Sequence, residues 1–341
     1  MTFSPKAKPE QRQKAVARLI ADLNADRNPI LLGPWRSELG FEVSYWIPFL
    51  AFLASKVMKF DQRAAVVTRG GLAPLYKAVA SQGYDLYALR SVADVRRENL
   101  YDAQVRQQGK TIKQLQVTDW DEAVLAEAAT ALGLGSVYHV VHPSLMYWAL
   151  APYWDETAAM SYLGSMTDYR LLPRVALTNA PSLPEKFVAV KCYGRATFPY
   201  PDPAVADWTR QTVATIAAQC PVVPLNTSSD HDDHVDVPLS GPNIFTLPSV
   251  APEQNLLVQA AVIAKATAFV GTYGGVAQLA LGMGVPSVSV WHEWGGTCAA
   301  HHHLSWWLSK VTKTPFLTGS IADCVLWQQI VALPMPPAVA A

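Results

Sequence analysis

Short apolar runs alternate with amphipathic stretches along nearly the whole chain, the pattern expected of parallel sheets covered on both faces by helices. Near the amino end Val16, Leu19, Ile20 and Leu23 form a helical stripe. Pro29 to Trp35, entered from the helix break Asn28-Pro29, reads as a first strand, and Ala64 to Thr68, ending in Arg69-Gly70-Gly71, reads as another. Between them, Val43 to Met58 is apolar and aromatic but interrupted by Ser44, Pro48, Ser55 and Lys56, and too short to span a bilayer. A buried helix is expected there, with peripheral membrane contact as the second reading. Asp119 and Glu122 have capping-box spacing, Leu125, Ala128, Ala129 and Leu132 make the buried stripe behind them, and Gly133 supplies the stop. Val137 to Val141 then returns as a strand.

From Leu171 to Pro184 the chain carries Pro173, Pro181 and Pro184 with little periodicity, as a domain connection does. Two domains are expected, 1–172 and 185–341. Phe187 to Lys191 restarts with a strand, and Asp202-Pro203 opens a helix whose Val205, Trp208, Thr212 and Ile216 keep one face. Pro221 to Leu225 and Ile244 to Leu247 read as further strands, Pro252 to Ala264 as a helix, and Pro334 to Ala341 as a loose tail. The fold class expected is α/β, with two doubly wound Rossmann-like domains facing across a cleft. In such sheets ligands bind beyond the carboxyl ends of the strands, so functional residues are sought just after strands.

The most informative stretch is Phe269-Val270-Gly271-Thr272-Tyr273-Gly274-Gly275-Val276-Ala277-Gln278-Leu279-Ala280, followed by Leu281 to Val290. It reads as strand, glycine-rich turn, helix and strand. Such a unit aims backbone N–H groups and a helix N-terminus at one spot, and residues without a Cβ let a phosphate approach that backbone. A phosphate or diphosphate site is predicted, with tight helix packing as the competing use of the glycines.

The run from Pro248 to Val290 resembles the carboxyl-terminal domain of GT-B-fold glycosyltransferases. In that family an acidic residue starting one helix and a glycine-rich turn starting the next handle a nucleotide-sugar. Leu32-Gly33-Pro34-Trp35-Arg36-Ser37-Glu38-Leu39-Gly40-Phe41-Glu42 is similar to the first strand and loop of bacterial polysaccharide glycosyltransferase-like proteins. The resemblance implies a GT-B-like fold and a nucleotide-sugar as donor substrate, with no further cofactor. It also implies that Glu253 bonds the ribose hydroxyls, although an acidic residue there equally complements a helix N-terminus.

Composition narrows the field. A chain of 341 residues, half of them hydrophobic, holds two cores. Lys plus Arg equals Asp plus Glu at 27 each, so no global field draws nucleic acid, and any anion recognition must be local. Cys192, Cys220, Cys298 and Cys324 are scattered without paired spacing and read as reduced. The amino terminus has Lys6, Lys8, Arg12 and Lys14 but no apolar signal core, so a cytoplasmic location is expected.

Lys191 and Arg195 follow a strand and have two readings, neutralising a leaving diphosphate or standing as solvated loop cations. Thr272, Gly274 and Gly275 are the stronger donor-site candidates, with Asn226, Thr227 and Ser228 ending another strand and His292 ending Val288 to Trp291. On the acceptor side the loop Gly33 to Gly40 carries Trp35, Arg36, Ser37 and Glu38. Gly33 and Gly40 suggest close approach of a ligand, and Trp35 and Trp294 are the tryptophans best placed to stack on a sugar. Sugar transfer with inversion needs a base for the acceptor hydroxyl. Glu38 is the first candidate and Glu42 the second, each with helix capping as the alternative.

Two histidine-rich groups, Asp230 to Asp236 and His292, Glu293, Cys298 with His301-His302-His303, hold metal-ligand chemistry without metal-ligand spacing, since adjacent residues on a helix diverge. The sequence therefore reads as an inverting, metal-independent glycosyltransferase that moves a sugar from a nucleotide-sugar donor to a carbohydrate acceptor. A nucleotide-sugar epimerase and a non-catalytic nucleotide-sugar or glycan-binding module are the alternatives.

Overall fold

The computed structural model describes residues 4, 6–105, 114–176, 182–194, 198–226, 235–292 and 299–323. The chain divides into two compact units, Met1–Pro173 with Pro252–Leu256, and Arg174–Ala251 with Leu257–Ala341.

In the first unit the elements run α1 (Pro9–Ala25), β1 (Ile30–Leu32), α2 (Leu39–Phe41), a π-helical turn (Glu42–Trp46), α3 (Ile47–Ala54), α4 (Phe60–Arg63), β2 (Ala64–Thr68), β3 (Gln82–Asp85), α5 (Val92–Val105), α6 (Asp119–Ala131), β4 (His139–Val141), α7 (Pro143–Trp154) and α8 (Met160–Gly164). The four strands are parallel in the order β3-β2-β1-β4, with Ile30 opposite both Ala64 and His139. Every residue of β1 and β2 is buried, as central parallel strands covered on both faces must be. Leu31, Ala65 and Val67 pack on one side with Val95, Val124, Leu125 and Ala128.

Local chemistry sets the helix limits. The box that starts α6 lies one residue earlier than the sequence spacing suggests. Thr118 is extended and serves as the N-cap, its Oγ1 accepting from the Asp121 N–H at 3.2 Å while its own N–H donates to Asp121 Oδ2 at 3.1 Å. The helix stops where Gly133 turns left-handed, φ +66°, with Gly133 N–H donating to the Thr130 carbonyl and Leu134 N–H to the Ala129 carbonyl.

The segment expected to be a buried helix is one, with an interruption. Val43, Tyr45, Trp46, Phe49 and Leu50 are all buried, and the last turn before Ile47 is π-helical, Ile47 N–H reaching back to the Glu42 carbonyl. Pro48 explains the irregularity. It has no N–H to give to the preceding turn, and in a regular helix its ring would press on the carbonyl of Ser44. That carbonyl instead accepts from the Tyr169 hydroxyl at 3.0 Å. Around this helix Trp35, Phe41, Tyr45, Trp46, Tyr147 and Trp154 form a continuous set of ring contacts.

From Arg174 onward the order is β5 (Val188–Lys191), β6 (Tyr193–Gly194), α9 (Pro203–Ala217), β7 (Val222–Pro224), β8 (Val235–Asp236), α10 (Pro252–Lys265, of which Pro252–Leu256 belongs to the first unit), β9 (Ala268–Thr272), α11 (Gly275–Gly282), β10 (Ser287–Trp291), α12 (Ala299–Thr312) and β11 (Phe316–Ser320). A five-stranded parallel sheet has the order β11-β10-β9-β5-β7, and β6 and β8 form a small antiparallel pair. Asp202 caps α9 by accepting from the Ala204 N–H at 2.9 Å, and Val205, Trp208, Thr212 and Ile216 occupy its buried face.

The strand expected at Ile244 to Leu247 is a single bridge. Val222 N–H donates to the Asn243 carbonyl and Phe245 N–H to the Val222 carbonyl, at 2.9 and 2.8 Å. The next rung of a parallel ladder would need an N–H from residue 224, which is proline, so pairing ends there. Among the described residues no helix is long and apolar enough to cross a membrane.

Tyr169→Phe is expected to lower unfolding free energy by about 1–3 kcal/mol in urea titrations, because it removes a donor from the Ser44 carbonyl. In a Pro48→Ala background, where an N–H returns within reach of that carbonyl, the same change should cost less. Equal costs in both backgrounds would contradict this pairing.

Candidate functional site

Each sheet has one place where its strand order reverses, between β1 and β4 in the first unit and between β5 and β9 in the second. At such a point adjacent connections leave on opposite sides, opening a crevice beyond the carboxyl ends of the strands.

In the second unit the reversal lies beside the glycine-rich turn. Lys191 ends β5, Thr272 ends β9, and Thr272 Oγ1 accepts from the Tyr193 N–H at 3.2 Å, joining the two strand ends. Gly274 precedes α11 in an extended conformation, so space rather than torsion demands glycine. A Cβ there would come 2.0 Å from the hydroxyl of Tyr193, which is itself buried. No side chain caps α11, and Gly274, Gly275 and Val276 are half-buried. A helix N-terminus without a side-chain cap is a site for an anion.

The other donor-side candidates fall differently. Lys191 is buried and already paired, its Nζ donating to Asp236 Oδ1 at 2.6 Å and to the Leu225 carbonyl at 2.9 Å. It locks β5 to β8 and is no solvated loop cation. Asn226 Nδ2 donates to the Val237 carbonyl at 2.8 Å. Glu253 lies in the first turn of α10, which also has no side-chain cap. His292 follows β10 and is half-buried, with its carbonyl accepting from Ser320 Oγ at 3.4 Å. Arg195, Thr227, Ser228, Glu293, Trp294, Cys298 and Cys324 lie outside the described residues, as does Asp230 to His234.

The histidine triplet sits on α12 and diverges. His302 turns inward to stack on Tyr273, ring centroids 4.0 Å apart, with Trp291 edge-on at 4.7 Å, while His303 is exposed. Burial pushes His302 down to about 4, so it is neutral at physiological pH. Burial likewise pushes the Cys192 thiol up to about 12, leaving it protonated and unreactive. Among the described residues no group of three or more His, Cys, Asp or Glu side chains is gathered to hold a metal.

In the first unit the chain leaves β1 through Gly33, whose N–H donates to the Val141 carbonyl at 3.0 Å. With φ +115° and the Val67 carbonyl oxygen 2.5 Å from where a Cβ would stand, this position excludes other residues. Close approach occurs here, but the approaching group is the β2 backbone. Trp35 is completely buried, stacked between Trp46 and Tyr147, and offers no face to a sugar. Arg36 is buried too, donating to Asp121 Oδ1 at 3.0 Å and Asn99 Oδ1 at 2.8 Å. Its backbone N–H donates to Gln114 Oε1 at 3.1 Å. Gly40 is buried within α2. Trp35, Arg36 and Gly40 hold the loop in place.

Asp121 belongs to a wider network. Burial alone would raise its pKa, but His142 Nε2 at 3.4 Å and the Arg36 charge outweigh it and hold the carboxyl well below the usual carboxylate range. His142 caps α7, its Nδ1 accepting from the Ser144 N–H at 3.1 Å. These partners come from separate stretches of chain, and nothing in the sequence singled out Asp121 or His142.

The two carboxylates proposed as bases have opposite environments. Glu38 is half-buried and extended just before α2, without capping it through its side chain. Glu42 is fully buried in the π-helical turn, its Oε1 accepting from Thr68 Oγ1 at 2.5 Å and from the Tyr76 hydroxyl at 2.6 Å. Burial raises its pKa to about 7 against the opposing pull of the Arg69 charge and the two hydroxyls. Glu42 ends α2 through its backbone N–H, which donates to the Leu39 carbonyl, but its side chain caps no helix and does not face solvent. Arg69 in turn donates to the Ser37 carbonyl at 2.7 Å, tying the loop after β2 to the loop after β1.

No protein-family model and no curated protein matches the chain. Solved structures similar to it include glycosyltransferases. E. coli heptosyltransferase WaaC with ADP is 14% identical, over 89% of this chain and 100% of that one, with a TM-score of 0.45. The glycosyl transferase family 9 protein from Veillonella parvula DSM 2008 is 10% identical, over 92% of each chain, with a TM-score of 0.44. E. coli ADP-heptose lps heptosyltransferase II is 11% identical, over 80% of this chain and 87% of that one, with a TM-score of 0.37.

Glu42 makes stability depend on pH in a defined direction. Its folded pKa lies above the ordinary value of 4.5, so its contribution is complete below that value and is lost as pH rises through about 7. Between pH 5 and 8 the wild type should lose roughly 1–3 kcal/mol relative to Glu42→Gln, measured by urea unfolding at each pH. Parallel pH profiles for the two proteins would show that Glu42 is ionised throughout.

Proposed function

We propose that this protein transfers a sugar from a nucleotide-sugar donor to a carbohydrate acceptor, holding the donor diphosphate at the start of α11. The observation that carries the reading is the position of Gly274–Gly275. They stand directly after β9, beside the strand-order reversal, at the N-terminus of a helix that no side chain caps. Backbone N–H groups there favour a charge that grows as the glycosidic bond breaks, which assists departure of the nucleoside diphosphate. The same positive potential suits transfer without a divalent cation. The sequence likeness of Pro248 to Val290 to glycosyltransferases supports the same assignment.

On the acceptor side the proposed base is Glu38, the carboxylate of the loop after β1 that is not buried. In an inverting displacement the acceptor oxygen bonds to the anomeric carbon as the bond from that carbon to the diphosphate oxygen breaks. The acceptor proton passes to the Glu38 carboxylate, and the bonding pair leaves with the nucleoside diphosphate. Glu42, enclosed by Thr68 and Tyr76, supports the helix behind this loop.

A thermal-shift screen against UDP, GDP, ADP, CMP, dTDP and their sugars, with and without EDTA, should show a selective diphosphate shift that survives EDTA. Gly275→Val should remove that shift with the unliganded melting temperature little changed. Glu38→Gln should keep the shift and lower turnover by about 10²-fold or more. The absence of any nucleotide shift would overturn the donor assignment, and full turnover by Glu38→Gln would overturn its role as base.

A further inference from the structure

The outer face of α12 has chemistry that the transfer reaction does not use. The inner face of this helix is fixed by packing. Ala300, Leu304 and Ser305 are buried, Ser305 Oγ lies 3.1 Å from the Tyr273 hydroxyl, and Leu308 packs with Tyr273 and Phe316. The opposite stripe, at spacings of three and four residues, is Ala299, His303, Trp306 and Lys310, all exposed. Trp306 is 62% exposed and Val311, on the flank of the stripe, 50%. Lys313, left-handed at φ +55°, follows the helix end and is exposed as well.

Charge sorts the partners. No Asp or Glu occurs from Ala299 to Ala322, whereas the whole chain balances 27 cations against 27 anions. The stripe therefore carries Lys310 with no carboxylate of its own, and a large aromatic side chain stands out of it. A solvated helix face has no need of an exposed indole, and a nucleic-acid groove requires more cations than Lys310 and Lys313 provide. An indole flanked by lysines suits the boundary of an anionic bilayer, where the ring settles at headgroup depth and the ammonium groups pair with phosphates.

We propose that the outer face of α12 docks the protein on an anionic lipid surface through Trp306, Lys310 and Lys313. The contact differs from the one read from the sequence at Val43 to Met58, a segment buried from Val43 to Leu50 with Met58 exposed at its end. Docking lies along the helix, parallel to the bilayer, with Trp306 and Val311 entering the headgroup layer.

The test is co-sedimentation of the full chain with phosphatidylcholine vesicles, with and without phosphatidylglycerol. The wild type should bind the phosphatidylglycerol vesicles and lose binding as salt is raised. Lys310→Glu with Lys313→Glu should weaken partitioning by about tenfold or more, and Trp306→Ser by several-fold. All of these residues are exposed, so melting temperatures should be unchanged. Val137→Ser serves as the control, since Val137 is equally exposed, at 62%, in the other unit, and it should bind as the wild type does. The proposal fails if the wild type ignores anionic vesicles or binds neutral ones equally. It also fails if the Trp306 and lysine variants bind normally, or if Trp306 governs self-association or oligonucleotide binding in place of vesicle binding.

Discussion

Arg36 and Asp121 have no contact with water, and the order of the loop after β1 follows from the pairing of these two charges. Removing either partner would leave the other buried without its opposite charge, an arrangement worth about 3–5 kcal/mol against the fold. The guanidinium also engages Asn99, the Arg36 backbone engages Gln114, and Trp120 lies against the cation at 5.7 Å. His142 closes the set from the start of α7. The loop after β1 is thereby tied to α5, α6 and α7 at once, and only then can the next residues, Ser37 and Glu38, stand at fixed positions. Ser37 extends the same lattice through Arg69 and Tyr147.

The second unit solves the same problem with fewer charges. Lys191 with Asp236 secures β5 to the small antiparallel pair, and Thr272 with Tyr193 secures β9 to β6. The Tyr193 ring fills the space beneath Gly274. What remains after these pairings is backbone, namely the first turn of α11. In both units the side chains nearest the strand ends satisfy each other, and the half-buried residues, Glu38 in one and Gly274 and Gly275 in the other, lie further along the chain.

That division explains what could be read in the sequence. The strand at Ala64 to Thr68 and the helix carrying Val205 and Trp208 were legible because apolar periodicity records burial directly. β3 was not, because Gln82–Asp85 is a polar edge strand without an alternating pattern. The lost strand at Ile244 depends on Pro224, whose effect appears only once the two segments are paired in register. The glycine turn was legible because a missing Cβ is a property of sequence. The burial of Trp35, Arg36 and Lys191 was not, since it depends on Tyr147, Asp121 and Asp236, each remote in the chain. A cation just after a strand looks the same in sequence whether it faces an anionic ligand or an internal carboxylate.

Glu42 shows how far this ambiguity reaches. By residue type and position it is as good a base as Glu38, and its raised pKa is the property a general base needs. The cause of that pKa, however, is enclosure by Thr68 and Tyr76 at the π-helical turn that Pro48 imposes. The same burial that tunes the carboxyl removes it from any acceptor hydroxyl. A perturbed pKa identifies a group under electrostatic tension, and access decides whether the tension serves chemistry or the fold. Here Glu42 is enclosed and braces the helix, while Glu38, half-buried, keeps part of its surface open.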